Sequence, residues 1–157
     1  MYTERLSRVF ATRVGSSLYN PHAAKAAVRK SAVIIGLGVD LAEISRITAA
    51  IERYGQAFLR RVFTEREIAY CESHRNKFER YAARFAAKEA AMKALGTGWR
   101  HGVRWVDIEV VRLPSGKPTL ELRGATRAIA NRLGVKNISV SITHSGDTAL
   151  SQVIFES

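Results

Sequence analysis

One cysteine, three prolines, few aromatic residues and no long apolar run set the first limits on what this chain does. Cys71 stands alone, so it can form no internal disulfide and no thiolate cluster, which fits a reducing, cytoplasmic setting. Its surroundings read as those of a half-buried helix residue. The longest apolar runs, such as Ser31 to Val39, stop well short of the ~20 residues that a membrane span needs, so the chain reads as soluble with no membrane partner. No Gly-x-Ser-x-Gly occurs, which argues against a Ser-His-Asp hydrolase, and no His or Cys pair has zinc-ligand spacing. A dinucleotide-binding loop is disfavoured because the third glycine of a Gly-x-Gly-x-x-Gly beginning at Gly36 falls on Leu41.

Acidic residues are also scarce, 14 against 25 Lys and Arg, for a net charge of +11. Such a chain attracts something anionic: nucleic acid, a membrane surface, a phosphate-rich small molecule or an acidic protein. Residues 1–32 hold Arg5, Arg8, Arg13, Lys25, Arg29 and Lys30 against Glu4 alone, so they supply +5 of that charge. They read as an appended basic arm or a targeting-like leader rather than a secretory signal, or as a poorly ordered extension from an upstream start; residues 33–157 read as one globular domain.

What is present in that domain is a run of distinct periodicities. Residues 32–39, Ala-Val-Ile-Ile-Gly-Leu-Gly-Val, form a short β-branched strand with Asp40 at its C-terminal end. Leu41, Ile44, Ile47 and Ile51 predict a helix over 41–54 that stops at Gly55, with Arg46 and Arg53 on its outer face and Arg60 and Arg61 just beyond. Thr64 and Glu67 make a capping box for a helix from about Glu65. A long helix from about Phe78 to Leu95 ends at Gly96-Thr97-Gly98. Trp105 to Leu113 alternates as a strand, a turn spans 114–118, and Thr119 to Leu122 pairs back. Ala125 to Leu133 is a short helix closed by Gly134. Ile138 to Thr143 and Thr148 to Phe155 make a hairpin around His144-Ser145-Gly146-Asp147. This order is α+β.

Two features carry chemistry. Ile34, Gly36, Gly38 and Asp40 share one strand face, so two glycines leave a bare strip beside a carboxylate. That strip admits a ligand or another chain, with Asp40 holding a cation; alternatively it packs on a helix, with Asp40 as the next helix's N-cap. The second feature is a charge out of place: Phe78, Tyr81, Phe85, Glu89 and Met92 lie on one helical stripe, which sets Glu89 on an apolar face. A carboxylate there must be paired, protonated or metal-bound. An i, i+4 bridge to Lys93 contributes only a few tenths of a kcal/mol, too little to offset desolvation. Arg84, Lys88 and Lys93 around it suit a polyanion bridged by Mg²⁺, or a solvated basic face. His144 sits where a strand breaks into a loop; His74 and His101 read as surface.

Gly36-Leu37-Gly38-Val39-Asp40-Leu41, Arg84-Phe85-Ala86-Ala87-Lys88-Glu89-Ala90 with Lys93, Gly116-Lys117-Pro118 and Ser141-Ile142-Thr143-His144 together resemble the holo-[acyl-carrier-protein] synthase family over about residues 33–156. The resemblance implies a 4′-phosphopantetheinyl transferase-like fold, a mixed antiparallel sheet with a long central helix. It implies transfer of 4′-phosphopantetheine from coenzyme A to a serine of apo acyl carrier protein, releasing adenosine 3′,5′-bisphosphate and supporting fatty acid biosynthesis. It further implies Mg²⁺ on Asp40 and Glu89. Glu89, Lys93 and His144 become catalytic candidates, and Arg84, Lys88, Gly116, Lys117, Pro118 and His144 candidates for holding coenzyme A. The serine's proton goes to Glu89 or to a metal-bound water. Arg46, Arg53, Arg60 and Arg61 are candidates to dock an acidic carrier. A homotrimer with sites between protomers is expected, which would give the glycine face a partner chain. The rival readings are a basic nucleic-acid-binding protein, which lacks an aromatic stacking platform and leaves Glu89 unexplained, and a generic Mg²⁺ phosphohydrolase.

Overall fold

A computed structural model describes residues 33–98 and 100–157; the expected extension at 1–32 lies outside the described residues. Five strands and four helices follow in the order β1 (Ile34–Glu43), α1 (Ile44–Val62), α2 (Glu65–Glu72), α3 (Lys77–Leu95), β2 (Ile108–Arg112), β3 (Pro118–Leu122), α4 (Gly124–Leu133), β4 (Asn137–Ser145) and β5 (Thr148–Glu156). The strands β1-β5-β4 form one antiparallel sheet and β2-β3 a separate antiparallel ribbon. The α+β expectation is met. Among the described residues, no helix is long and apolar enough to cross a membrane.

Strand β1 runs three residues past Asp40, and this overrides the helical periodicity that begins at Leu41. Pairing with β5 continues in register from Asp40↔Ser151 to Glu43↔Thr148, so Leu41 and Ala42 are held extended by main-chain bonds from a neighbouring strand. Asp40 is therefore not the helix cap. The start of α1 is instead secured from β5's turn, where Asp147 Oδ1 accepts from Ser45 N (2.9 Å) and its carbonyl from Ile44 N (2.8 Å). At Gly55 the helix does break, with φ 53° and ψ −133°, and it resumes to Val62. The capping box at Thr64 forms as expected.

Gly36 and Gly38 settle how the core is built. A Cβ at Gly38 would lie 1.9 Å from the carbonyl oxygen of Ala90, and one at Gly36 would lie 2.1 Å from that of Ala94. The strip is covered by α3 of the same chain, so the expectation that it faces a ligand or another protomer is corrected. Backbone meets backbone there, and Ala87, Ala90 and Ala91 of α3 join Val140, Val153 and Phe155 of the sheet in the main core. A second cluster packs α1 and α2 against Tyr81, Ala82 and Ala86 on the far flank of α3, with Cys71 fully buried inside it.

Among the described residues, nothing covers the other face of the sheet. Leu37, Val39 and Leu41 point away from α3 and are 55%, 43% and 61% exposed, beside half-buried Leu150 and Ile154 of β5. Large apolar side chains in that number on one flat face are unusual for a free surface.

Candidate functional site

Close packing of α3 on β1 brings together two carboxylates 49 positions apart in sequence. Asp40 projects from the α3 side of β1, and Glu89 and Lys93, one turn apart on α3, come to meet it. Lys93 Nζ lies 2.8 Å from Asp40 Oδ1 and donates to the carbonyl of Val39 (3.0 Å), so the ammonium pairs across to the strand rather than along its own helix to Glu89. Glu89 is half-buried, and its Oε1 accepts from the indole Nε1 of Trp105 (2.6 Å), which follows α3 in a single 3₁₀ turn, Trp105–Asp107. Burial raises the Glu89 carboxyl above its ordinary range and the nearby charge of Asp40 adds to this, while the Trp105 hydrogen bond and Lys93 oppose it.

Among the described residues, no three His, Cys, Asp or Glu side chains converge as a metal site. A pair of carboxylates nevertheless fits Mg²⁺, which keeps several waters and is commonly held by one or two carboxylates plus substrate phosphates. The donors here are hard oxygens, like-charged and adjacent, with Lys93's ammonium resting on one of them. That arrangement predicts a stability effect with a definite sign. Because Glu89's carboxyl is raised in the folded state, the native protein holds that proton more tightly than the unfolded chain, so metal-free stability falls as pH rises from about 4.5 through the raised value. Glu89→Gln should remove that decline, and urea unfolding of the metal-free protein between pH 4 and 8 measures it.

A second group of expected residues gathers elsewhere. Arg84, Pro118 and His144 line a cleft of about 270 Å³ with Asn76, Glu79, Arg80 and Arg112. Arg84 is 8% exposed, its guanidinium lies 4.1 Å from the ring centroid of Tyr70, and its buried Nε has no hydrogen-bond partner. Arg80 and Arg112 approach the same ring at 5.4 and 5.5 Å, and Arg80 also donates to the Tyr70 hydroxyl (2.9 Å). An orphaned buried donor beside two further guanidinium groups has the chemistry to take an anion. His144 is the last but one residue of β4, not part of a loop, and its Nε2 lies 3.3 Å from Glu79. Gly116 and Lys117 are exposed in the β2-β3 turn, with only Pro118 reaching the cleft.

Lys88 belongs to neither group, which corrects its assignment to coenzyme A. It is fully buried, 2.7 Å from Glu67, and donates to the carbonyls of Trp105 (3.0 Å) and Ile108. A solvated basic face is likewise excluded for it. Arg84 and Glu89 point from opposite flanks of α3, about 140° apart around the axis for five residues at ~100° each, so one chain does not unite the two groups by a short path.

Of the expected docking arginines, Arg46 and Arg53 are exposed seven positions apart along α1. Arg60 and Arg61 line a cleft of about 350 Å³ with Val103, Arg104, Trp105 and Val106. The indole that bonds Glu89 therefore also walls the arginine-lined cleft. Tyr70, Arg80 and Arg112 are absent from the expected site residues, and Trp105 is expected only as the start of a strand that in fact begins at Ile108, after the 3₁₀ turn. Only the tertiary fold marks them, since each meets its partner through a separate element.

Residues 36–152 match the family model for the 4′-phosphopantetheinyl transferase superfamily. The chain belongs to that superfamily. It is 61% identical over 124 residues to the holo-[acyl-carrier-protein] synthase of Solibacter usitatus, covering 79% of this chain and 99% of the relative. The crystal structure of holo-[acyl-carrier-protein] synthase from Neisseria meningitidis is similar at a TM-score of 0.74 and 33% identity, over 80% of this chain and 100% of that one. A synthase from Bacillus anthracis in complex with CoA (3′,5′-ADP) is similar at 0.65 and 35% identity, over 79% and 97%. The superfamily's fold is thus the arrangement described above, with α3 as its central helix.

Proposed function

We propose that this chain transfers 4′-phosphopantetheine from coenzyme A to a serine of apo acyl carrier protein, as a Mg²⁺-dependent homotrimer whose sites lie between protomers. The serine Oγ gives its proton to Glu89 or to water and forms a bond to the phosphorus that bears pantetheine, the pyrophosphate P–O bond breaks, and adenosine 3′,5′-bisphosphate leaves. The observation that carries this reading is the Asp40–Glu89 carboxylate pair with Lys93 across it, in a chain of this superfamily.

Asp40 and Glu89 would hold the metal ion, which when bound neutralises charge on the pyrophosphate oxygens. The Lys93 ammonium, 2.8 Å from Asp40 Oδ1 at the edge of the site, would contact the phosphates and offset the charge that develops on them. Arg84, with Arg80, Arg112 and His144, would take a phosphate of the nucleotide end, since Arg84's unpartnered Nε already faces a need for an acceptor. Gly116, Lys117 and Pro118 would border that end. Arg46, Arg53, Arg60 and Arg61 would dock the acidic carrier beside Trp105, within reach of Glu89. The holo carrier so formed would serve fatty acid biosynthesis, in the cytoplasm that the lone, buried Cys71 is suited to.

Self-association is supported by the exposed face of Leu37, Val39 and Leu41, which no element among the described residues covers. It is supported again by the flanks of α3: the carboxylate group and the arginine group look in different directions, as halves of a site completed around a ring of copies would. The first experiment follows the mass of apo carrier incubated with coenzyme A, Mg²⁺ and the protein. No mass gain, with a control transferase working, rejects the reading. The second mixes inactive Asp40→Ala and Arg84→Ala chains after joint refolding. A shared site predicts recovery of about one quarter of wild-type activity, since random pairing at a heterologous interface makes one site in four from two intact halves. No recovery would place both halves in one chain.

A further inference from the structure

We infer that Trp105 is a positioning residue for the Glu89 carboxylate, and that the buried Lys88–Glu67 pair holds Trp105 in place for that purpose. The inference rests on the reading of Asp40 and Glu89 as the metal-binding pair. Glu89 sits on a long helix, and its own side chain has several rotatable bonds, so nothing in α3 alone fixes where its oxygens lie. The Trp105 Nε1–H bond to Oε1 at 2.6 Å does fix them, and it commits one oxygen while leaving the other for a cation shared with Asp40.

The indole is secured from two sides. Its ring stacks on Phe85 of α3, one turn before Glu89, at 6.4 Å between centroids and 24° between planes. Its main chain is secured by Lys88, whose Nζ donates to the carbonyls of Trp105 and Ile108, the residues that open and follow the 3₁₀ turn. One ammonium thereby clamps both ends of the turn that carries the indole. Lys88 in turn is held by Glu67 at 2.7 Å, and the two oxygens of Glu67 also accept from Val110 N (2.9 Å) and Thr64 N (3.0 Å). The path from α2 to the site is continuous: Glu67, Lys88, Trp105, Glu89.

A buried ammonium needs acceptors for its three donors, and Lys88 finds two of them in the carbonyls that bracket the indole's turn; an apolar pair of similar volume is often as stable but would leave that turn unclamped. The chain offers the two carbonyls as the acceptors of a buried charge, at the point where their position sets the indole. In ligand sites of this kind, loss of the outer hydrogen-bond partner typically costs 10–100-fold in metal affinity.

The test uses the full chain with coenzyme A present and no carrier. Trp99→Phe leaves Trp105 as the only tryptophan of the two in the sequence. Adding Mg²⁺ to that variant should shift Trp105 emission, and Glu89→Gln should erase the shift. Trp105→Phe keeps a ring on Phe85 but has no N–H; in calorimetric titration it should bind Mg²⁺ about tenfold more weakly, with coenzyme A affinity measured without Mg²⁺ unchanged. Glu67→Gln in the Trp99→Phe background is the second variant, needed if Trp105→Phe does not unfold cooperatively. It should alter Trp105 emission in the metal-free protein and raise the Mg²⁺ midpoint. Unchanged Mg²⁺ affinity in the folded Trp105 or Glu67 variant overturns the inference and leaves the metal assignment standing. If the Trp99→Phe protein gives neither an emission change nor heat with Mg²⁺, the metal assignment itself falls, and the inference with it.

Discussion

Asp40→Ala and Glu89→Ala, each made alone, should leave a folded protein that no longer adds phosphopantetheine to apo carrier. The two side chains contribute little to the fold. Asp40's salt bridge is to a half-exposed Lys93 at the edge of the sheet, and pairs of that kind are worth about 0.2–1 kcal/mol. Glu89's carboxyl is held above its ordinary range by burial, so its removal relieves the metal-free protein of a charge it disfavours. The reaction has the opposite dependence. It concentrates charge on pyrophosphate oxygens, and removal of one group that stabilises such charge costs on the order of 10²–10³-fold in rate. Carrier mass measured over time, with urea unfolding free energies within about 1 kcal/mol of wild type as the control for folding, checks both halves of the expectation. Retention of even a tenth of the rate in either variant would falsify the assignment of these carboxylates to the metal.

Gly38→Ala should damage stability and activity together. The added methyl would lie 1.9 Å from Ala90's carbonyl oxygen and 2.7 Å from Ala94's nitrogen, both main-chain atoms of a helix that cannot yield by changing a rotamer. Either β1 or α3 must shift, and overpacking of this kind costs about 1–3 kcal/mol. The same shift separates Asp40, two residues along β1, from Glu89 and Lys93 on α3, and a displacement near 1 Å at a site of reacting groups can cost ~10²-fold. Urea unfolding should show the lost stability. Transfer assayed well below the unfolding transition should remain depressed, which distinguishes a misplaced site from a shortage of folded protein. A variant with wild-type activity among its folded molecules would show that the glycine serves packing alone.

The glycine case shows where sequence reasoning stopped. Periodicity of two placed Gly36, Gly38 and Asp40 on one face, and periodicity of 3.6 placed Glu89 on the apolar stripe of α3; both are local properties of backbone geometry. What covered the glycines was a matter of which element packed there, and that depends on the whole core. The same limit explains the boundary at Asp40. Leu41, Ile44, Ile47 and Ile51 carry a helical signal, but pairing to β5 extends the strand to Glu43, because main-chain bonds from a neighbouring strand outweigh a weak intrinsic preference. Lys88 was misread for a related reason. On a helix rich in Lys and Arg its direction is set only by what α3 packs against, and it points to Glu67 and the carbonyls of the 3₁₀ turn.

By itself the sequence determined the long helix with Glu89 on it and the capping box at Thr64, since each rests on residues a few positions apart, and the α+β class and the family pattern, since each is a fixed order of such local blocks. The tertiary structure alone decided that Asp40 meets Lys93, that Trp105 bonds Glu89, that Tyr70 gathers Arg80, Arg84 and Arg112, and that the arginine and carboxylate groups occupy opposite flanks of α3. Those contacts join separate elements of the chain, and they arise only when the core brings separate elements within hydrogen-bond distance.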